Sequence, residues 1–241
     1  MPDPSEDLRT TLEHGEIELQ GQFMLGSNYT FLVNVHHAGL TFPAVYKPSR
    51  GEQPLWDFPE ASLAGREVAA YLISEALGFH FVPFTLSRDG PFGPGSLQEF
   101  IEHDPKYHYF SFKPADRERL RPVALFDLLA NNADRKGSHI IVQKRTRNLY
   151  LIDHGLCFHE EEKLRTVLWD FAGQAIPADL LAALSVFREK LAGPGSLRPA
   201  LEPYLTPAEI AALAARGEAL QLSCRFPLPP TDRRAVPYPP L

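Results

Sequence analysis

Apolar positions along the chain change period after residue 102, and the predicted elements change with them from strands to helices. Residues 1–15 form a polar extension with a short helix over 6–14. Ile17, Leu19 and Phe23-Met24-Leu25 then precede the small-polar break Gly26-Ser27-Asn28, and Tyr29-Thr30-Phe31-Leu32-Val33-Asn34-Val35 follows it. An apolar run, a small-polar turn and a β-rich run read as a hairpin. The turn His37-Ala38-Gly39 leads to a third strand over 42–47 that stops at Pro48, and 49–60 is broken by proline and glycine into a loop. Over 63–77 apolar residues recur at three- and four-residue steps (Leu63, Val68, Tyr71, Leu72, Ala76), with Gly78 where a helix C-cap belongs. Two more strands, 81–86 and 96–101, flank a turn-rich stretch over 88–95.

Beyond residue 102 the pattern predicts an amphipathic helix over 114–131, with Leu120, Val123, Ala124, Phe126, Leu128 and Leu129 on or near one face. A polar loop over 132–138 leads to two short strands at 139–142 and 149–152. Helices follow at 178–191 and 207–222, the second with Thr206 as N-cap and Pro207 at the first helical position. The stretch after residue 226 carries many of the 23 prolines and reads as an extended tail on the surface. No internal repeat is visible.

Composition narrows the class. A chain of 241 residues with 44% hydrophobic and 22% charged residues is ordinary globular material, large enough for one big domain or two lobes. A net charge of −6 weighs against a general nucleic-acid or anionic-membrane binder. The two cysteines, Cys157 and Cys224, rule out a disulfide framework or a four-thiolate zinc site. The acidic start lacks the apolar core of a signal peptide, and no apolar stretch approaches the roughly 20 residues a membrane helix needs. The expectation is a reduced, soluble, cytoplasmic protein.

Five pieces of chemistry occur in order: a glycine-containing hairpin turn at Gly26-Ser27-Asn28, Lys47 at a strand end, Glu67 inside the next helix, Asp134 in the polar loop, and Asp153 in an Asp-His-Gly after a short strand. Each has a plain alternative. The turn can be only a turn, Lys47 an edge-strand charge, Glu67 a locally paired surface group, and Asp134 a solvated residue in a helix-end turn. Together they match what phosphoryl transfer from ATP requires: amides over the phosphates, an oriented cation, a base for the acceptor hydroxyl and a carboxylate for a divalent ion. Asp153 is the most pointed, because a carboxylate closing an apolar strand is costly unless paired or metal-bound.

This arrangement resembles the phosphatidylinositol 3-/4-kinase-like branch of the protein-kinase-like superfamily. It is most similar to type II phosphatidylinositol 4-kinases, to a group of short bacterial proteins of that branch with unestablished substrates and, more distantly, to HipA-type kinases. The similarity runs through Gly26-Ser27-Asn28-Tyr29, Val45-Tyr46-Lys47-Pro48, Glu67-Val68-Ala69-Ala70-Tyr71, Leu77-Gly78-Phe79, Val82-Pro83, Gln98-Glu99-Phe100-Ile101, Asn132-Ala133-Asp134-Arg135 and Ile152-Asp153-His154-Gly155-Leu156, so it covers roughly residues 20–160 in order. The resemblance implies a bilobal α+β fold: a β-rich N-lobe over 16–101, a helical C-lobe over 102–225 and a proline-rich tail over 226–241. It implies ATP binding with Mg²⁺ or Mn²⁺ and phosphotransfer to an unidentified hydroxyl acceptor. Gly26, Ser27 and Asn28 would form the phosphate loop. Lys47, oriented by Glu67, would bind the α/β-phosphates, and Glu99, Phe100 and Ile101 would form the hinge that holds adenine. Asp134 would accept the hydroxyl proton with Arg135 beside it, and Asp153 would ligate the metal.

One position departs from that branch. Five residues after the catalytic aspartate its members carry an asparagine that ligates a second metal ion; here the residue is His139. A single Mg²⁺ on Asp153, a preference for Mn²⁺ and a weakened or lost activity are the three explanations, with Ser138 as a nearby oxygen that could substitute. A nucleotide-binding pseudokinase serving as a regulatory module is therefore the alternative reading. The acceptor is open among a protein, a small molecule and a lipid, although no basic amphipathic helix speaks for the lipid.

Other chemistry finds no support. The nine histidines show neither a metalloprotease pairing nor a zinc-finger spacing, so packed or surface histidines are expected at His36-His37, His103/His108 and His154/His159. There is no Gly-x-Ser-x-Gly elbow and no Gly-x-Gly-x-x-Gly after the first strand.

Overall fold

A computed structural model describes residues 4–23, 29–195 and 197–241. The break Gly26-Ser27-Asn28 lies outside the described residues. Strands β1 (Glu16–Gln22), β2 (Phe31–His37), β3 (Leu40–Pro48), β4 (Thr85–Gly90) and β5 (Gly93–Glu99) build an antiparallel sheet in the order β1-β2-β3-β5-β4. Alternation along β3 decides which face does what. Ala44 and Tyr46 are fully buried and pack with Val33, Val35, Leu97 and Leu12, whereas Val45 and Lys47 line a cavity on the other face. Leu12 belongs to α1 (Pro4–His14), so the predicted polar extension contributes to the core of the sheet. Arg88 of β4 ties this helix down by donating to the carbonyls of Leu12 and Gly15 at 2.6 and 2.9 Å.

The two strands expected at 81–86 and 96–101 are displaced toward each other, into the stretch read as turn. Residues 81–84 are irregular, and β4 and β5 run through most of 88–95 to a tight turn at Pro91-Phe92. The glycines there serve close approach within the sheet. A Cβ on Gly95 would meet the Lys47 carbonyl at 2.3 Å, and one on Gly90 would meet the Tyr46 ring at 2.6 Å.

Helix α2 (Leu63–Leu77) follows its predicted span and ends at Gly78 in the left-handed region (φ 72°), whose N–H closes the last turn. Its first turn is capped from a distance: Glu52 accepts from the Leu63 and Ala64 amides at 3.0 and 2.8 Å. The helix expected over 114–131 is two helices, α3 (Pro114–Glu118) and α4 (Arg121–Ala130). Pro122 explains the break: it has no N–H with which to bond the Glu118 carbonyl, so one helix ends there and the next starts with proline in its first turn. β6 (Ile140–Val142) and β7 (Leu149–Leu151) form a two-stranded ladder, with Ile140, Val142, Leu149 and Leu151 in the main core.

Helices α5 (Ala178–Ala192), α6 (Leu197–Leu201) and α7 (Pro207–Ser223) complete the helical part. The sequence pattern missed α6, a single turn. At α7 the predicted cap is a full capping box: the Thr206 hydroxyl accepts from the Glu209 amide at 3.2 Å, and the Glu209 carboxylate accepts from the Thr206 amide at 2.8 Å. Among the described residues no helix is long and apolar enough to cross a membrane.

Candidate active site

A cavity of about 430 Å³ lies between the sheet and the helical part, a size that suits a nucleotide-like ligand. Five elements feed it. Lys47 comes from the end of β3, Glu67 from α2, Glu99, Phe100 and Ile101 from the crossing between the two parts, Asp134 from the loop after α4, and His139 and Asp153 from either side of the β6–β7 ladder. An ammonium from the first half of the chain and two carboxylates from the second thus share one cleft.

The Lys47 ammonium donates to Glu67 Oε1 and, at 3.1 Å, to Asp153 Oδ1. Burial alone would lower its pKa, but the Asp153 and Glu67 carboxylates outweigh that and hold it raised, so the charge is fixed. Burial pushes the Glu67 pKa up; Lys47 and His154 more than reverse this and bring it to about 2. The Lys47 charge likewise holds Asp153 ionised. Asp153 sits in the left-handed region (φ 64°), where a residue with a side chain is held only by its surroundings.

Asp134 stands across the cleft with a Lys136 ammonium 3.2 Å from its Oδ2. Burial raises its pKa, which makes it a better proton acceptor than a solvated carboxylate. Its amide is held by the Asn132 side chain at 2.9 Å. The loop is pinned on both sides, by Ala133 N–H on the Leu156 carbonyl (2.9 Å) and by a parallel bridge between Arg135 and Thr166.

Arg135, expected among the catalytic groups, points away from the cleft. Neighbours along an extended loop alternate sides, so Asp134 and Lys136 face the cavity while Arg135 is wholly buried. Its Nε reaches both oxygens of Asp127 (3.0 and 3.2 Å), Nη1 donates to the Ile152 carbonyl (2.9 Å) and Nη2 to His154 Nε2 (2.9 Å). Because arginine only donates, His154 Nε2 accepts and its ring proton sits on Nδ1, 3.6 Å from Glu67 Oε2. The His154 amide also donates to Glu67 at 3.0 Å. A polar chain thus links Asp127, Arg135, His154, Glu67, Lys47 and Asp153. Arg135 packs behind the loop and lines none of the cavity.

His139 Nε2 lies 3.3 Å from Asp153 Oδ2. Burial drops the His139 pKa to about 4, leaving a neutral ring near neutral pH; Nδ1 accepts from the Lys136 amide, so Nε2 carries the proton toward Asp153 and would offer a lone pair to a metal by giving that proton up. A carboxylate oxygen and an imidazole nitrogen side by side fit a divalent ion that takes its other ligands from phosphate oxygens and water. Among the described residues no three histidine, cysteine, aspartate or glutamate side chains form a metal-holding group. His154 is packed, and His159 Nε2 donates to the Asp57 carbonyl at 2.7 Å, its Nδ1 accepting from the Glu161 amide.

The sequence pattern missed several parts of the site. Lys136 was available two residues after Asp134. Ile141 and Ile152, read only as strand residues, form apolar lining, with Ile141 turned to the cavity while its neighbours Ile140 and Val142 enter the core. Asp127, buried in an apolar helix, had no sequence signal that set it apart from a surface charge.

The sheet layer, the helical part and the cleft between them define a protein-kinase-like α+β fold. The Helicobacter pylori proinflammatory kinase CtkA superposes with a TM-score of 0.55 at 12% identity, over 88% of this chain and 93% of that one. Hydra Fam20, solved with sugar, gives a TM-score of 0.54 at 14% identity over 93% and 89%. No protein-family model matches the chain. Its sequence is 38% identical to Protein Rv2133c of Mycobacterium tuberculosis over 269 aligned positions, 97% of this chain and 95% of the relative. The chain belongs to the family of that protein.

Proposed function

We propose that the protein is an ATP-dependent phosphotransferase of the phosphatidylinositol 3-/4-kinase-like kind, acting on an alcohol. The observation that carries this reading is the Lys47 ammonium held between Glu67 and Asp153, with Asp134 in the same cleft. Lys47 would neutralise the α/β-phosphates, and the apolar and main-chain groups around Glu99, Phe100 and Ile101 would hold the base. The acceptor oxygen bonds to the γ-phosphorus as the bond to ADP breaks, and its proton passes to Asp134. Asp153 and His139 would hold Mg²⁺ or Mn²⁺, which when bound offsets phosphate charge.

One observation favours the second reading, a nucleotide-binding pseudokinase. Both Asp153 oxygens already have partners, Lys47 and His139, and a metal ion would have to displace or share them. Turnover of ATP with Mg²⁺ and with Mn²⁺, in wild type and Asp134→Ala, separates the two. The kinase reading expects turnover that falls about 10²–10⁴-fold in the variant while nucleotide affinity stays level. Binding without turnover under either ion would select the pseudokinase.

A further inference from the structure

The stretch after α7 does not trail into solvent. Phe226 is buried, with its amide on the Gln174 carbonyl (3.0 Å) and its carbonyl accepting from Gly173 (2.9 Å). Arg233 reaches Glu162 at 3.2 Å. The Ala235 carbonyl accepts two bonds, from the Thr166 amide at 3.0 Å and the Trp169 indole at 3.1 Å. Pro237 is buried, and the Pro240 carbonyl accepts from the Gly137 amide at 2.8 Å. Residues 233–240 therefore form a strap from the segment after the Asp153 turn to the loop that carries Asp134.

The strap takes up particular backbone groups. Residues 165–167 pair on one edge with the Asp134 loop, through Arg135 N–H to the Arg165 carbonyl (3.0 Å) and Val167 N–H to the Arg135 carbonyl (3.2 Å). Their other edge is where an extended peptide would be captured by strand addition, because a free strand edge supplies main-chain bonds to any sequence. Here the chain's own Ala235 sits on that edge. At the other end Gly137, three residues from Asp134, has its amide taken by Pro240 and its Cα against the Phe110 ring, which an added Cβ would meet at 2.8 Å. Both main-chain edges flanking Asp134 are filled, while Asp134 and Lys136 remain open to the cavity.

We infer that the acceptor is a compact hydroxyl compound of polyol or sugar size, and that residues 233–240 form the wall that excludes an extended polypeptide. The inference rests on the phosphotransfer reading of the same cleft. A peptide laid along either edge would have to displace the Ala235 and Pro240 bonds and the Arg233–Glu162 pair, whereas a small polyol entering from the cavity displaces none of them.

Two measurements on the full chain test it. Amide hydrogen exchange reads the strap directly and needs no activity. Slow exchange at Thr166 and Gly137, lost on replacing 233–240 by a glycine-serine stretch, is expected; fast exchange at both in the unaltered chain would mean the wall is mostly open and would overturn the proposal. The second is transfer from γ-labelled ATP with Mg²⁺ or Mn²⁺ to two pools, one of linear and cyclic polyols with free hexoses, the other a degenerate peptide library with a central serine, threonine or tyrosine. Labelling of polyols at least about tenfold above peptides is expected. Peptide labelling equal to or above that of polyols would overturn the proposal. So would peptide labelling in the glycine-serine variant with no labelling of polyols in either protein, since the strap would then be a lid over a peptide site. Loss of the phosphotransfer reading looks different: neither ATP binding nor transfer to either pool, with the exchange pattern unchanged.

Discussion

Arg66 and Glu67 are neighbours on α2, yet they enter two unlike ion pairs. Glu67 meets Lys47 at the wall of the cavity, where the lysine side chain keeps 23% of its exposure. Arg66 meets Glu209 of α7 with both side chains out of water, at 1% and 6% exposure. Arg66 also donates to the Cys157 carbonyl at 2.5 Å and lies over the Phe58 ring. One pair borders ligand space and the other borders only protein. Since adjacent helical residues project about 100° apart, the second fixes the rotation of α2 about its axis and so aims Glu67. The pair at the cavity is oriented by one buried in protein a single residue away.

The most damaging change expected is to the buried pair. Glu209→Ala leaves an uncompensated guanidinium in the interior and should cost about 3–5 kcal/mol in denaturant unfolding. Replacing both partners, Arg66→Met with Glu209→Leu, should recover most of that stability; a double variant as unstable as the single would show that the residues matter separately, not as a pair. Lys47→Ala should show the opposite balance. Its stability should fall by about 1–3 kcal/mol, since Glu67 is itself only 3% exposed and gains cavity water in place of the ammonium, while affinity for a non-hydrolysable ATP analogue drops at least about tenfold. A large stability loss with unchanged affinity would reverse the roles assigned to the two pairs. The smallest effect expected is that of Thr206→Ala, about 1 kcal/mol from the lost cap. Because Glu209 shares its carboxylate between the Thr206 amide and Arg66, that variant also tests whether the cap helps to hold the buried pair.

What the sequence made legible follows from how far apart the partners lie. Lys47, Glu67, Asp134 and Asp153 each end or interrupt an apolar run, so local pattern exposes them, and the structure brings all four to one cleft. The hairpins and α2 were readable for the same reason: their periodicity is local. Arg66 and Glu209 are separated by 143 residues, and on an amphipathic helix each looks like an ordinary surface charge. Asp127 was hidden in the same way. Pro122 was overlooked inside a good apolar pattern, and the glycines of β4 and β5 were read as turn formers because nothing local shows that a neighbouring strand passes within contact of their α-carbons. The strap was the least legible part. Its hold on Thr166 and Gly137 is through main-chain carbonyls, which side-chain identity does not encode.

Asp153 occupies backbone space where glycine rests more easily than any residue with a side chain. Under the proposed phosphotransfer reading, a lineage that gave up catalysis would be free to drift to glycine there, whereas one still under selection for chemistry would keep the carboxylate. Position 153 in relatives therefore works as a historical record, and reading it across many genomes would sort working enzymes from retired ones before any of them is purified.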